Sequence, residues 1–156
     1  MCRGAIRFSG IPIPVDSVAA KAEEWLDVPF AWQGSVRAGC DCKGLLAGVA
    51  RELGRPEADS LEALAGDYGA RVPTQRLRAG LERLFDRVAP EARKPGDVLL
   101  CKLGGAAQHL AIYCPTDTRP NRAIEAMPSG PGRVRPGQWP LWRIDSVWRW
   151  RETGSD

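Results

Sequence analysis

The chain has 156 residues, 44% hydrophobic and 26% charged, with a net charge of +3. That balance fits one soluble globular domain with a single core. Acidic and basic residues are mixed and no Lys/Arg block stands out, so the sequence argues against a nucleic-acid partner. No apolar run is long enough to cross a bilayer, so no membrane segment is expected.

The N-terminal stretch "MCRGAIRFSGIPIPVDS" has no apolar core of the secretory kind, and two prolines interrupt it. Nor does an apolar stretch precede Cys2, as a lipoprotein signal would need. The expectation is a chain made in the cytoplasm, which something other than its own signal would carry outside. The next stretch, "DSVAAKAEEWLDV", reads as a helix with Asp16 or Ser17 as N-cap and Val18, Ala22, Trp25 and Leu26 on one face. "PFAWQGSVRAGCD" reads as a loop rich in glycine and aromatics. Residues 42–53 form the next helix, with Leu45, Leu46, Val49 and Leu53 as its apolar stripe and Gly54 at its end. A short helix follows near "SLEALAGDYG". "TQRLRAGLERLFDRVAP" puts Leu77, Leu81, Leu84, Phe85 and Val88 on one side of a helix that Thr74 would cap and Pro90 would follow.

The second half changes period. "RKPGDVLLCKL" is a turn and a buried strand, "HLAIYC" a second strand and "RAIEAM" a third. "RVRP" is a short fourth and "LWRIDSVWRWR" a long last one. The Pro/Gly-rich "PSGPGRVRPGQWP" reads as loops between strands. Helices first and an antiparallel sheet second make an α+β layout. Four of the six tryptophans fall in "WPLWRIDSVWRWR". A contact surface is one reading, but alternating tryptophans favour packing on both faces.

The chemistry concentrates in "GCDCKGLLAGVARELG", residues 39–54. A cysteine at a helix N-terminus meets unpaired backbone N–H groups and the positive end of the helix dipole. Both favour thiolate over thiol. A nearby histidine would complete the activation, and the chain holds a single histidine, His109. It opens the strand "HLAIYC", in the half that should pack on the helices. Cys42 as nucleophile and His109 as base are therefore the candidate dyad. Three other readings compete. Either residue could be simple packing. A metal site would need more ligands than Cys-Asp-Cys and one histidine supply. A redox pair would use two intervening residues and a βαβ setting. The count of cysteines, five, is odd, which argues against a disulfide framework. Cys40, Cys101 and Cys114 read as core.

The blocks "PFAWQGSVRAGCDCKGLLAGVARELG", "KPGDVLLCKLGGAAQHLAIYC" and "RAIEAMPSGPGRV", in that order, resemble the NlpC superfamily of cell-wall cysteine peptidases. The double-cysteine form "GCDCKGL" with "VARELG" is most similar to the branch found in phage tails and gene transfer agents. The similarity spans roughly residues 15–150 of what is expected to be one domain over 1–156. It implies a papain-like α+β fold with the nucleophile's helix packed on an antiparallel sheet. It also implies hydrolysis of an amide in peptidoglycan stem peptides, typically between γ-D-glutamate and a diamino acid, with no cofactor and no metal. Phage-tail-like particle proteins are the implied partners, and a tail acting on the cell wall the implied location.

Carried over by position, Cys42 matches the nucleophile and His109 the general base. Glu125 stands where a third polar residue orients the imidazole, unless it points to solvent. Asp41 matches an aspartate that helps hold the free amine of L-alanine, and Phe30 matches a tyrosine near the nucleophile. Lys43 replaces a serine and puts an ammonium beside the thiol, which would lower its pKa or alter substrate choice. Trp32 would wall the cleft with Phe30, or serve as core. A cell-wall amidase, another cysteine acyl-transfer enzyme on the same fold, and a non-catalytic tail assembly protein are the alternatives.

Overall fold

The computed structural model describes residues 6–8, 11–13, 17–66 and 73–152. A short hairpin comes first, β1 (Ile6–Phe8) with β2 (Ile11–Ile13), which the sequence pattern did not suggest. Helix α1 (Val18–Glu24) is capped by the Ser17 side chain, which accepts from the Ala20 N–H. Asp16, the other candidate cap, lies outside the described residues. Trp25 ends the helix and is fully buried. The loop after it contains a minimal hairpin, β3 (Ser35–Val36) with β4 (Gly39–Cys40).

Helix α2 (Cys42–Glu52) follows directly, with Leu45, Leu46 and Val49 buried, and stops at Leu53 and Gly54. Gly54 takes a left-handed φ of 69°, the usual end of a helix. Helix α3 spans Ala58–Gly66. Helix α4 (Thr74–Leu84) is shorter than its apolar pattern suggested. Phe85 and Val88, expected on its apolar face, lie instead on β5 (Phe85–Val88). A run that alternates Phe85, Asp86, Arg87 and Val88 fits a strand as well as a helix turn, and pairing with the last strand decides it. Thr74 is not the side-chain cap: it is the first helical residue, and its hydroxyl donates to the Ala107 carbonyl.

Five more strands follow: β6 (Val98–Leu103), β7 (Ala106–Tyr113), β8 (Arg122–Met127), β9 (Arg133–Gln138) and β10 (Ile144–Trp150). They form, with β5, an antiparallel sheet ordered β5-β10-β6-β7-β8-β9. The fourth strand is longer than "RVRP": β9 runs on past Pro136 through Gly137 and Gln138. Proline is tolerated there because β9 is the last strand of the sheet. The last strand is shorter than expected, because residues Leu141–Arg143 form a 3-10 turn.

One face of the sheet packs on the helices. Leu100, Leu110, Ile112, Ile124 and Trp148 meet Leu45, Leu46, Val49, Leu77 and Leu81 in the main core. A smaller cluster on the opposite face holds Leu99, Cys101, Ala111, Tyr113, Ala123 and Trp139. The tryptophans of β10 do not divide between faces. Trp148 and Trp150 are two residues apart and both join the main core. The mixed architecture, helices against one face of an antiparallel sheet, is the papain-like α+β fold.

Candidate active site

The pairing of β7 with β8 is short. It covers Ile112 with Ile124 and Tyr113 with Ala123, and then stops. Past that point the strands part, and the N-terminus of α2 sits against the gap. The Leu110 N–H, on the unpaired stretch of β7, turns to the Cys42 sulfur.

The start of α2 is locked from its own sequence. Asp41 is the N-cap: its Oδ1 accepts from the Gly44 N–H at 2.8 Å and its Oδ2 from the Gln33 N–H at 2.8 Å. Gln33 adopts a left-handed φ of 64°, a conformation that costs a non-glycine residue about 1 kcal/mol or more. This turn aims its N–H at the carboxylate. Gly44 is required by close approach, since a Cβ there would lie 1.6 Å from the Gly34 carbonyl oxygen. The loop that carries Phe30 and Trp32 is pinned on both sides. Phe30 N–H donates to the Gly132 carbonyl, and Ala31 N–H to the Cys40 carbonyl.

On this frame Cys42 and His109 come within hydrogen-bond reach of each other. His109 Nε2 lies 2.7 Å from Glu125 Oε1, which leaves Nδ1 for the sulfur. His109 and Glu125 are both buried, Glu125 at 6% exposure, while Cys42 is half-buried at the cleft. Burial works against the Cys42 thiolate. The His109 hydrogen bond and charge, then the Lys43 charge, more than offset it, and the thiol is held below its ordinary value. Burial likewise works against the imidazolium, but the hydrogen bonds and charges of Cys42 and Glu125 outweigh it and raise His109 to about 9. The arrangement favours a thiolate–imidazolium pair backed by a carboxylate.

The other described cysteines are unlike Cys42. Burial, then the charges of Asp41 and Cys42, push the Cys40 thiol up to about 12. Burial also drives Cys101 and Cys114 well upward. All four described cysteines, Cys42 included, are free thiols. Among the described residues no group of His, Cys, Asp and Glu is arranged to hold a metal ion.

A cleft of about 540 Å3 opens over the dyad. Cys42, His109, Lys43, Phe30 and Trp32 all line it, with Gln108 and Met127 among the others. Phe30 and Trp32 meet edge to face, ring centres 4.7 Å apart. Trp32 is 55% exposed, so it belongs to the wall and not to the core. Lys43 is 4% exposed, with its Nζ 3.9 Å from Asp41 Oδ2. Asp41 is fully buried beneath the cleft and does not line it. Glu125 stands behind His109 and does not face solvent.

Two residues of the site escaped the sequence reading. Trp139 donates from Nε1 to Glu125 Oε1 at 2.6 Å and packs its ring 5.4 Å from the imidazole. Gly137 makes room for the carboxylate, since a Cβ there would lie 2.1 Å from Glu125 Oε2. Both belong to the Pro/Gly-rich segment read as loop, and nothing local to it signals a partner on β8.

A family profile described as the NlpC/P60 family matches residues 27–134. No curated protein sequence matches this chain. Among solved structures, the fold is similar to the NlpC/p60 domain of the peptidoglycan hydrolase SagA, with a TM-score of 0.59 and 21% identity over 87% of this chain and 98% of that one. It is also similar to a lipoprotein-like protein of the NLP/P60 family from Staphylococcus aureus subsp. aureus Mu50. There the TM-score is 0.57 and the identity 17%, over 89% of this chain and 42% of that one. A third likeness is to the P60 domain of an antigen of M. avium paratuberculosis, with a TM-score of 0.53 and 18% identity over 88% and 93%. With the cysteine–histidine pair in a cleft, and a family match across both halves of the site, the chain belongs to the NlpC/P60 family and is a cysteine peptidase.

Proposed function

We propose that this protein is a single-domain peptidoglycan hydrolase that cuts an amide in cell-wall stem peptides, the bond between γ-D-glutamate and a diamino acid. The observation that carries the reading is the line of Cys42, His109 and Glu125 at an open cleft, in a chain of this family. The similarity to a solved peptidoglycan hydrolase domain supports the substrate class.

Cys42 thiolate attacks the amide carbonyl. The N–H groups of Cys42 and Lys43, which have no intrahelical acceptor in the first turn, face the developing oxyanion. His109 Nδ1 gives its proton to the leaving amine, and the C–N bond breaks to leave a thioester on Cys42. The imidazole then takes a proton from water, which attacks the thioester and releases the acid. Glu125 holds the ring through Nε2 in the orientation both steps need. Phe30 and Trp32 wall the cleft against solvent. The double-cysteine block "GCDCKGL" with "VARELG" supports a place in a phage-tail-like or gene-transfer-agent particle, delivered with it to the cell wall.

Digestion of purified muropeptides tests the activity. The wild type should release a new amine on the diamino acid. Cys42→Ala should lose at least about a thousandfold in rate. A free lactyl group instead would make the enzyme an amidase, and intact muropeptides with a reactive Cys42 would remove the substrate assignment.

A further inference from the structure

Glu125 Oε1 accepts twice, from His109 Nε2 at 2.7 Å and from Trp139 Nε1 at 2.6 Å. Along β8, Ile124 and Ala126 belong to the main core and Ala123 to the smaller cluster. Alternation therefore puts Glu125 on the face of the smaller cluster. Trp139 is part of that cluster and only 3% exposed. Its backbone N–H donates to the Asn121 carbonyl at 2.8 Å, just before β8, and the Arg143 guanidinium lies 4.4 Å over its ring. The indole is thus tied to the strand that carries Glu125 and clamped between apolar packing and a cation.

A carboxylate with one donor can turn about its last bond. A second donor on the same oxygen fixes which oxygen faces the imidazole. An indole N–H is a donor only and keeps its proton throughout the working pH range, so it holds Oε1 at every step of a reaction cycle. Oε1 held in this way keeps the His109 proton on Nε2 when the ring is neutral. Nδ1 is then free to take a proton from water in the second half of the reaction.

We propose that Trp139 is a positioning residue of the site: through its N–H it fixes the Glu125 carboxylate on His109 Nε2 and so selects the tautomer in which Nδ1 is the base. This rests on the reading of Cys42, His109 and Glu125 as the site, and not on which bond is cut. The groups that act on the imidazole are Cys42 from α2 and Glu125 from β8. Cys101, opposite His109 on β6, is driven well upward by burial and by the Glu125 charge, and stays a neutral thiol.

His109 is the only histidine, so untagged protein labelled with 15N-histidine gives a single imidazole spectrum. In wild type the ring should titrate near 9 and, above that pH, show the Nε2–H tautomer alone. Trp139→Phe keeps a ring in the cluster and removes the donor. Its midpoint should fall by roughly half a pH unit or more, and the neutral ring should become a mixture of both tautomers. In muropeptide digestion kcat should fall on the order of tenfold, with KM changed by less than about twofold. 3-Benzothienylalanine at position 139 puts sulfur in place of N–H on a ring of the same shape. It should act as Trp139→Phe does, and it decides the matter if the phenylalanine variant does not fold. Added to Glu125→Leu, Trp139→Phe should move neither midpoint nor tautomer further.

A donor-free variant with the wild-type midpoint and tautomer overturns the proposal. A raised midpoint does so too, since Trp139 would then compete with His109 for the oxygen. A further shift on top of Glu125→Leu would place the effect on the ring itself and also overturns it. Mixed tautomers in the wild type bring down the site reading along with the proposal. If the wild type cuts no muropeptide, the substrate class falls and the imidazole spectrum still decides the role of Trp139.

Discussion

What sets Cys42 apart from the other three described cysteines is a few ångströms of surroundings. Cys40 and Cys42 are separated only by Asp41, yet one thiol is pushed up to about 12 and the other held below its ordinary value. Burial opposes ionisation in both. Cys42 alone has an imidazole, an ammonium and a backbone N–H turned to it. The pH profile of kcat/KM should therefore have an acid limb below the usual thiol range and a basic limb near pH 9, where His109 loses its proton. Glu125→Gln removes the carboxylate that helps to hold that proton. The basic limb should move to lower pH and kcat should fall on the order of tenfold or more. The same linkage governs stability. The folded value of His109 lies above its unfolded one, about 6.5, so its contribution is complete below that pH and is lost as pH rises through about 9. The stability gap between wild type and Glu125→Gln, read by denaturant titration across pH, should accordingly narrow above pH 9. A basic limb that does not move would remove Glu125 from the site.

The next scale up is the contact between α2 and the loop before it. Asp41 caps the helix and at the same time fastens the loop through Gln33, so one side chain aligns the thiol with the aromatic wall. Backbone meets backbone at Gly44 and Gly34. Gly44→Ala has no flexible neighbour to displace, because the atom in the way is a carbonyl oxygen. It should cost about 3 kcal/mol or more, and denaturant unfolding should show either that loss or no cooperative transition. A loss under about 1 kcal/mol would mean that the helix start can shift away. Elements also correct the periodicity argument. The apolar spacing of residues 77–88 suits one long helix, but Phe85 and Val88 are claimed by pairing with β10. Pro136, already read as part of the fourth strand, is accommodated because β9 lies at the sheet edge.

Across the whole molecule, two segments nearly seventy residues apart meet because the sheet opens where the helix arrives. Closing β7 and β8 all along their length would leave no room for the thiol beside Leu110. The fold also hides the other three described thiols. Cys40, Cys101 and Cys114 are buried in the two apolar clusters. Brief treatment of native protein with iodoacetamide at neutral pH should label Cys42 and leave these three unmodified until denaturant is added, as read by peptide mass spectrometry. Labelling of Cys101 or Cys114 in native protein at a comparable rate would contradict this packing.

The candidate dyad was legible because it depends on local order. A thiol after an N-capping aspartate, at the head of an apolar-striped helix, carries its activation in consecutive residues. With one histidine in the chain, the partner was named by elimination, and the change of period near residue 94 announced the α+β division. What the linear pattern did not hold is everything set by pairing between distant strands. Glu125 could as well have faced water; it faces His109 because β8 is turned that way and Gly137 leaves space for its carboxylate. Trp139 reaches the same oxygen from a segment with no helical or strand signature. Asp41 and Lys43 stood as neighbours in the sequence, but which of them meets the cleft was a matter of burial. Burial belongs to the folded chain, because it depends on what other segments cover, and here they cover Asp41 completely and leave Lys43, itself nearly buried, among the residues lining the cleft.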